Sequence, residues 1–422
     1  MEDVVRVQRS VFCSMVLVFE LLLVLMGCGG GGCPTVNRTG SSSSGGSGGT
    51  KGTSNVCGTS NGNGSGSGIN GQCSGHLSPN EVLYSFDIPT DTSNVANILP
   101  FAVDGNGALA LMCGNASANI GQLALIGNKF LYAFDSNTAK IAAFTIAHGN
   151  SGALTAVAGS AFPIPDTFTS SGNFPRIEAD PLGRFLFITN FNASQIDVFQ
   201  VDPTTGALTI APNSPVHASS PIHLVVEPSG NFVYVPDSQN ALINIFSIDS
   251  TGNMTLKVPF TVPTGAVPGT DAPLFIEAHP NGKFLFTANR GSVAAYVIDS
   301  TTGALSYAPN SPFNTSSLQI APLLLTLDAS GTFLYVADTG NNGIAGFTVN
   351  GTTGALALIN GSPFPGASVS DLVPNPAGPQ LYVHIGNSIN VYAIDPTTGV
   401  LTPPTGQAQF FTASNLVIAN VQ

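Results

Sequence analysis

The stretch Gly183-Arg-Phe-Leu-Phe-Ile-Thr-Asn190 decides the fold, because close copies of it recur along the chain. Each copy leads to a turn that ends in Gly-Ala-Leu or a variant, as in Val201-Asp-Pro-Thr-Thr-Gly-Ala-Leu208. An earlier, looser copy runs from Leu83 to Leu109. The glycines before the aromatic runs, 47 to 56 residues apart, are Gly127, Gly183, Gly230, Gly282, Gly331 and Gly378. A period in this range indicates one supersecondary unit repeated along the chain.

The repeated unit is all-β. Within one copy, residues 283–288 and 292–298 are short apolar segments rich in aromatic and β-branched residues. Residues 274–278 precede them and 304–307 follow, with Gly, Pro, Asn and Asp at every junction. In the turn 202–206, Asp accepts hydrogen bonds from nearby N–H groups, Pro presets φ, and Gly takes the positive-φ position. Four strands per copy predict the blade of a β-propeller.

The two ends of this region predict how the ring closes. Residues 414–420 resemble the first strand of a further blade, after which the chain stops. The first blade, near Leu83, has three strands and no preceding partner. We expect the C-terminal strand to complete that blade, because the pairing satisfies two exposed edges at once. The prediction is an all-β, seven-bladed propeller of four-stranded blades that spans residues 81–422 as one domain.

The N-terminal segment predicts export. Residues 1–27 contain an apolar run preceded by Arg6 and Arg9, as in a secretory signal peptide. The run ends in Leu25-Met-Gly-Cys28, which resembles a bacterial lipobox with Cys28 as the lipid-bearing residue. An uncleaved membrane anchor and an ordinary signal peptide are the alternatives. We expect a protein of the bacterial cell envelope that is attached to a membrane through its lipid anchor only.

Residues 28–80 are predicted to be a tether, because a segment of mostly Gly, Ser, Asn and Thr cannot bury a core. Cysteines 33, 57, 73 and 113 remain once the signal peptide and Cys28 are set aside. Four cysteines allow three disulfide pairings, and free thiols are the alternative. Their spacing resembles no zinc motif, and we expect neither a metal nor another cofactor.

Composition restricts the partners. Charged residues make up 8% of the chain, the net charge is −12, and no basic cluster occurs. These features argue against nucleic-acid binding, which needs a positive surface. A surface of Ser, Thr, Asn and Gly is compatible with a carbohydrate or another neutral small molecule. We expect a monomer whose partner is a small molecule such as a carbohydrate.

The innermost strands carry the candidate site, because the first strand of each blade lies next to the propeller axis. Residues seven and five positions before each repeat glycine are often polar, whereas those six and four before it have no hydrogen-bonding side chain. Alternate residues of a strand face opposite sides, so the first set is predicted to face the channel. The polar residues that this arrangement places around the axis are Arg176, Glu178, His223, Glu277, Thr326 and Asp371.

Ionisable groups in a partly desolvated channel could act as a general acid or base. We assign His223 or Glu277 as the base and Arg176 as the electrophilic partner. Glu178 joins the catalytic set, and Thr326 and Asp371 are predicted to bind the ligand. The structural alternative is that these groups are only paired or hydrated channel residues.

Several strings are similar to repeats of the seven-bladed propeller lactonase family, with its YVTN-like repeats. They include Gly230-Asn-Phe-Val-Tyr-Val-Pro-Asp237 and His279-Pro-Asn-Gly-Lys-Phe-Leu-Phe286. That family includes bacterial 6-phosphogluconolactonases and a fungal carboxymuconate-lactonising enzyme. The resemblance covers nearly all of residues 81–422 and implies the propeller fold and lactone hydrolysis.

The family's motif residues are only partly present. Its His-Pro-His segment reads Pro221-Ile-His223 here, so the last histidine alone matches. Its Gly-Pro-Arg-His segment reads Ala272-Pro-Leu-Phe275, and its Asn-Glu pair reads Asn289-Arg290. Two functions from different classes therefore stand. One is an exported lactone hydrolase with His223 and the channel carboxylates in its site. The other is a non-catalytic, tethered propeller that binds a glycan, a small ligand or a protein.

Overall fold

The computed structural model describes residues 79–86, 96–112, 116–118, 121–135, 138–165, 175–263, 273–289, 291–315, 322–338, 343–366, 368–386, 388–404 and 415–422. The predicted signal peptide, Cys28, the four remaining cysteines and all but the end of the tether lie outside them. Every regular element in the described ranges is a strand. A search of those ranges finds no apolar helix long enough to cross a membrane.

The strands form seven sheets, which we number as blades 1 to 7. Blade 1 contains β1 (Glu81–Phe86), β2 (Ala96–Val103), β3 (Leu109–Leu111), β4 (Ala116–Ala118) and the C-terminal strand. Blade 2 contains β5 (Gln122–Ile126), β6 (Phe130–Asp135), β7 (Lys140–Ile146), β8 (Leu154–Ala156) and β9 (Phe162–Pro163). Blade 3 contains β10 (Ile177–Ala179), β11 (Phe185–Asn190), β12 (Gln195–Val201), β13 (Leu208–Ile210) and β14 (Val216–His217). Blade 4 contains β15 (Val225–Val226), β16 (Phe232–Asp237), β17 (Leu242–Ile248) and β18 (Met254–Pro263).

The remaining blades follow the same order. Blade 5 contains β19 (Pro273–Ala278), β20 (Phe284–Asn289), β21 (Ser292–Ile298), β22 (Leu305–Tyr307) and β23 (Phe313–Asn314). Blade 6 contains β24 (Pro322–Leu327), β25 (Phe333–Asp338), β26 (Gly343–Val349), β27 (Leu356–Leu358) and β28 (Phe364–Pro365). Blade 7 contains β29 (Val369–Pro374), β30 (Gln380–Ile385), β31 (Ser388–Ile394) and β32 (Leu401–Thr402), and the last strand of the chain is β33 (Val417–Asn420). Each blade is an antiparallel sheet of four strands. In five blades a further short strand also pairs with the third strand of the sheet.

Ring closure occurs as predicted. Strand β33 pairs antiparallel with β1, with Glu81 opposite Asn420 and Tyr84 opposite Val417. The sheet order of blade 1 is therefore β33-β1-β2-β3. The pairing gives blade 1 the inner strand that residues 81–111 do not supply. The fold prediction is confirmed, including the assignment of the C-terminal strand to the first blade.

The predicted turn chemistry is also present. Asp202 Oδ1 accepts hydrogen bonds from the N–H groups of Thr204 at 2.9 Å and Thr205 at 2.8 Å. Gly206 has a φ of 75°, in the left-handed region that favours glycine. Asp299, Asn350 and Asp395 accept equivalent bonds in later copies. The Gly-Ala-Leu signature thus marks the loop between the third and fourth strands of a blade.

Neighbouring blades are joined by a tyrosine of the second strand. The hydroxyl of Tyr132 in blade 2 donates to the carbonyl oxygen of Gly206 in blade 3 at 2.9 Å. The same bond links Tyr84 to Gly152, Tyr234 to Gly303, Tyr335 to Gly399 and Tyr382 to Gly107. Phe187 and Phe286 take this place in blades 3 and 5. Two parts of the repeat that are far apart in one copy therefore meet across the blade interface.

Candidate functional site

The innermost strands enclose a central cavity of about 640 Å³. Its walls come from blades 1 to 5 and blade 7, and no described residue of blade 6 lines it. The predicted alternation holds in blades 3 to 5. Ile177, Leu224 and Ile276 are buried in the packing between blades, while their neighbours in sequence face the cavity.

Gln122 lines the cavity, and so do five of the six predicted channel-facing residues, namely Arg176, Glu178, His223, Glu277 and Asp371. Thr326 does not. Its side chain is buried, and its Oγ1 lies 3.5 Å from the carbonyl oxygen of Leu327. Its role as a ligand-binding residue is still only a prediction, and the structure does not bring it to the other candidates.

A carboxylate and an imidazole form the centre of the site. His223 Nε2 lies 2.8 Å from Glu178 Oε1. The imidazole is 4% exposed, and its Nδ1 is buried without a hydrogen-bond partner among the described residues. Because Nε2–H donates to the carboxylate, Nδ1 is the nitrogen that can accept a proton. A buried acceptor without a partner costs free energy, which a substrate hydroxyl or water molecule would recover.

Two local features position these side chains. Glu178 lies on β10, and His223 precedes β15 on the next blade, so adjacent inner strands bring them together. The segment before β15 is held by a bridge between Pro221 and Asp237. The ring of Phe275 stacks on the imidazole with a centroid distance of 3.9 Å. The His223 ring is therefore fixed from two sides, by a charge and by an aromatic face.

Phe275 also contacts the cation of the site. The guanidinium carbon of Arg176 lies 5.4 Å from the centroid of the Phe275 ring, within the range of a cation–π contact. The backbone of Arg176 is bonded to Thr189, whose Oγ1 accepts from the Arg176 N–H at 3.0 Å. In the sequence, Phe275 stands where the similar family has a histidine. Its position seven residues before Gly282, on the face predicted to line the channel, indicates that it belongs to this site.

Glu277 is the second carboxyl at the centre. Burial, followed by the negative charge of Glu178, raises the pKa of Glu277 to about 8. At neutral pH this carboxyl therefore holds its proton, so it can donate a hydrogen bond or a proton. Sequence analysis named Glu277 as a possible base, and the raised pKa instead favours the role of an acid.

Asp371 lies across the channel on β29. Its Oδ2 accepts from the N–H of Leu416 at 2.7 Å, and its Oδ1 accepts from that of Leu372 at 2.9 Å. Burial raises the pKa of Asp371, although these bonds and the charge of Arg176 oppose the rise. Asp371 thus ties blade 7 to the segment that leads into β33.

One cavity residue was missed by the sequence analysis. Glu81 lines the cavity, is 5% exposed, and has a buried Oε1 with no hydrogen-bond partner in the described ranges. Burial raises the pKa of this carboxyl. The prediction of channel residues covers only the first strand of each blade, whereas Glu81 begins the second strand of blade 1. The pairing of Glu81 with Asn420 at the end of β33 brings it to the cavity.

The arrangement has the parts needed for acyl transfer to water. A general base must accept a proton from water, an acid must protonate the leaving oxygen, and a cation or donor must stabilise the oxyanion. His223 oriented by Glu178, protonated Glu277, and Arg176 correspond to these three parts.

Comparisons with known proteins agree with this fold. The sequence model of the family described as "Lactonase, 7-bladed beta-propeller" matches residues 123–267 and 321–415, more than half of the chain. A curated relative, a 6-phosphogluconolactonase of Formosa agariphila, is 25% identical over 248 residues, which are 54% of this chain and 69% of the relative.

Solved structures share the architecture. A putative 6-phosphogluconolactonase from Bacteroides uniformis superimposes with a TM-score of 0.65 at 19% identity, covering 81% of this chain and 100% of that one. The periplasmic gluconolactonase PpgL of Pseudomonas aeruginosa gives a TM-score of 0.63 at 18% identity, covering 81% of this chain and 99% of that one. At these identities the likeness concerns the fold.

Proposed function

This chain belongs to the seven-bladed β-propeller lactonase family, and on that premise we propose that it hydrolyses a lactone in its central channel. The observation that carries the proposal is the 2.8 Å contact between Glu178 and His223 beside a carboxyl, Glu277, whose pKa is about 8. Burial keeps a proton on Glu277, whereas Glu178 accepts a hydrogen bond from the imidazole, so the acid and the base of the site are different groups.

The reaction follows from this separation. His223 Nδ1 accepts a proton as water attacks the lactone carbonyl, and Glu178 stabilises the resulting imidazolium. Arg176 stabilises the negative charge that develops on the carbonyl oxygen. The bond between the carbonyl carbon and the ring oxygen then breaks, and Glu277 gives its proton to that oxygen. The product is an open-chain hydroxy acid, and the imidazolium returns its proton to solvent or to Glu277.

The names of the relatives suggest the ring to test first. The curated relative is named for 6-phosphogluconolactone, and one structural neighbour is named for gluconolactone. A six-carbon sugar lactone is therefore the substrate class that we propose. Its hydroxyl groups suit a cavity whose polar lining consists mainly of carboxyl and amide groups.

The dyad is tested by Glu178→Gln. We expect kcat/KM for glucono-δ-lactone to fall by about 10- to 100-fold, because the amide cannot stabilise the imidazolium; loss of a whole general base costs more, about 10²–10⁴-fold. Proton release followed with a pH indicator measures the rate. Asp299→Asn is the matched control, since this carboxylate is exposed in a turn outside the cavity.

A binding function is the second candidate. Leu274 and Phe275 stand where the family has arginine and histidine, which favours a propeller that binds a glycan, a small ligand or a protein without chemistry. Well-folded wild-type protein that hydrolyses no sugar lactone above the uncatalysed rate would support this candidate. Equal activity of wild type and Glu178→Gln would instead place the chemistry outside the dyad.

We also propose that the protein is exported and lipid-anchored through Cys28, on the strength of the Leu25-Met-Gly-Cys28 sequence. In a bacterial host, Cys28→Ser is expected to abolish incorporation of labelled palmitate and to release the protein from the membrane fraction. Cys33→Ser, five residues further on, should keep both properties. Equal labelling of the two variants would exclude Cys28 as the lipidated residue.

A further inference from the structure

The channel has more acids than bases. Four carboxyl side chains line it, those of Glu81, Glu178, Glu277 and Asp371. One guanidinium, that of Arg176, and one imidazole, that of His223, are the basic groups in the lining. Even with protons on Glu81, Glu277 and Asp371, whose pKa values are all raised, the carboxylate of Glu178 balances the charge of Arg176, so the described lining holds no excess of fixed positive charge.

The single guanidinium of the lining lies near a carboxyl group. The charge of Arg176 lowers the pKa of Asp371, which means that the two groups attract each other. Its guanidinium also lies against the ring of Phe275. One guanidinium is therefore the only permanent cation of the described lining, fewer than a phosphate group needs.

Three other cations have described side-chain contacts away from the cavity lining. Arg184 forms an ion pair with Asp180 at 2.8 Å and donates to the carbonyl oxygen of Gly230 at 2.6 Å. Lys129 donates to the carbonyl oxygen of Pro203 at 2.6 Å. Lys257 Nζ lies 5.7 Å from the centroid of the Phe232 ring. None of these three residues lines the cavity, so none can neutralise a ligand there.

A phosphate ester requires a lining with an excess of positive charge. It carries a charge of about −1.5 to −2 at neutral pH and is normally bound by several cations or N–H donors. Like charges brought together at a binding site cost several kcal/mol. We infer that the channel selects a lactone without a phosphate or carboxylate group and rejects its anionic derivatives. This inference rests on the proposed function, since it names the substrate class of the same site.

Hydroxyl groups, by contrast, suit this lining. A carboxylate accepts hydrogen bonds from a hydroxyl group, and a protonated carboxyl both donates and accepts. Glu277 and Glu178 offer both types side by side. A neutral polyhydroxylated ring can satisfy these groups without adding charge to the channel.

The test compares glucono-δ-lactone with its 6-phosphate ester as substrates of the full mature chain. We expect kcat/KM to be at least about 100-fold higher for the neutral lactone at low salt, and the ratio to shrink as salt screens the repulsion. Val225→Lys adds a cation to the cavity wall and is expected to narrow the ratio by at least about 10-fold. Val225→Met is the matched neutral control.

The two proposals fail in different ways. Hydrolysis of the phosphorylated lactone at a rate equal to or above that of the neutral one keeps the enzyme but overturns its selectivity. If neither lactone is hydrolysed, the lactonase proposal is overturned, and calorimetry with 1,5-anhydroglucitol and its 6-phosphate examines the charge preference by itself. Tighter binding of the neutral ring then supports the inference. Equal or tighter binding of the phosphate, or binding of neither, overturns it.

Discussion

Glu277→Gln is expected to lower kcat/KM for a sugar lactone by about 10²–10⁴-fold, the usual contribution of a general acid. The amide keeps the shape and hydrogen-bonding capacity of the side chain but has no proton to give to the leaving oxygen. Since the pKa of Glu277 is about 8, wild-type activity should also decline as pH rises through 8. That alkaline limb should be absent from the residual activity of the variant.

The same substitution is expected to stabilise the folded protein at alkaline pH. The folded state keeps the Glu277 proton up to about pH 8, whereas the unfolded chain releases it near the ordinary value of 4.5. Folded protein therefore loses stability as pH rises from 4.5 to 8, and glutamine removes that loss. The difference between the two pKa values sets a ceiling of roughly 5 kcal/mol, and partial exposure of Glu277 reduces the gain to about 2–3 kcal/mol.

Thermal unfolding of both proteins at pH 6 and pH 9 measures this gain. Asp299→Asn is the control, because hydrogen bonds from Thr302 and Thr301 lower the pKa of Asp299. Its titration lies below the tested range, so this variant should keep the wild-type dependence on pH. A Glu277→Gln protein that retains full activity would exclude the acid role. An unchanged loss of stability between pH 6 and 9 would show that Glu277 is ionised in the folded state.

The strand alternation that predicted the fold also predicted most of the candidate site. An inner strand must bury one face between blades, so residues such as Ile177 and Ile276 determine that Arg176 and Glu277 face the cavity. Blade 6 differs because its inner-strand residues contribute nothing to the cavity wall. The Thr326 hydroxyl could not be placed from the pattern, since its orientation depends on the packing of that blade.

The pattern within one repeat does not predict the contacts that residues make with a neighbouring blade. The repeat contains a tyrosine and a glycine that bond only across the interface, as Tyr234 and Gly303 do at 3.0 Å. Glu81 reaches the cavity because β33 closes the ring beside it, and Phe275 stacks on a histidine from another blade. The sequence pattern gives the face on which a side chain lies, while its partner depends on how the blades pack.

Gly354→Ala is expected to lower the free energy of unfolding by about 3–4 kcal/mol. Gly354 has a φ of +73°, and a Cβ atom there would lie 2.6 Å from Cδ1 of Phe284 in the preceding blade. A left-handed conformation costs alanine about 1–2 kcal/mol, and overpacking a buried ring adds about 1–3 kcal/mol. Phe284 is 1% exposed, so its ring has little room to move.

Gly351→Ala provides a control within the same turn. No atom lies within 4 Å of a Cβ at Gly351, and its φ is outside the left-handed region. Alanine there should be neutral or stabilising by about 0.5 kcal/mol, because it restricts the unfolded chain. Urea unfolding followed by circular dichroism suits a chain without tryptophan. If the two variants unfold at the same urea concentration, the contact between the Gly-Ala-Leu turn and the preceding blade does not contribute to stability. The recurrence of glycine at this position of the repeat would then need a different explanation.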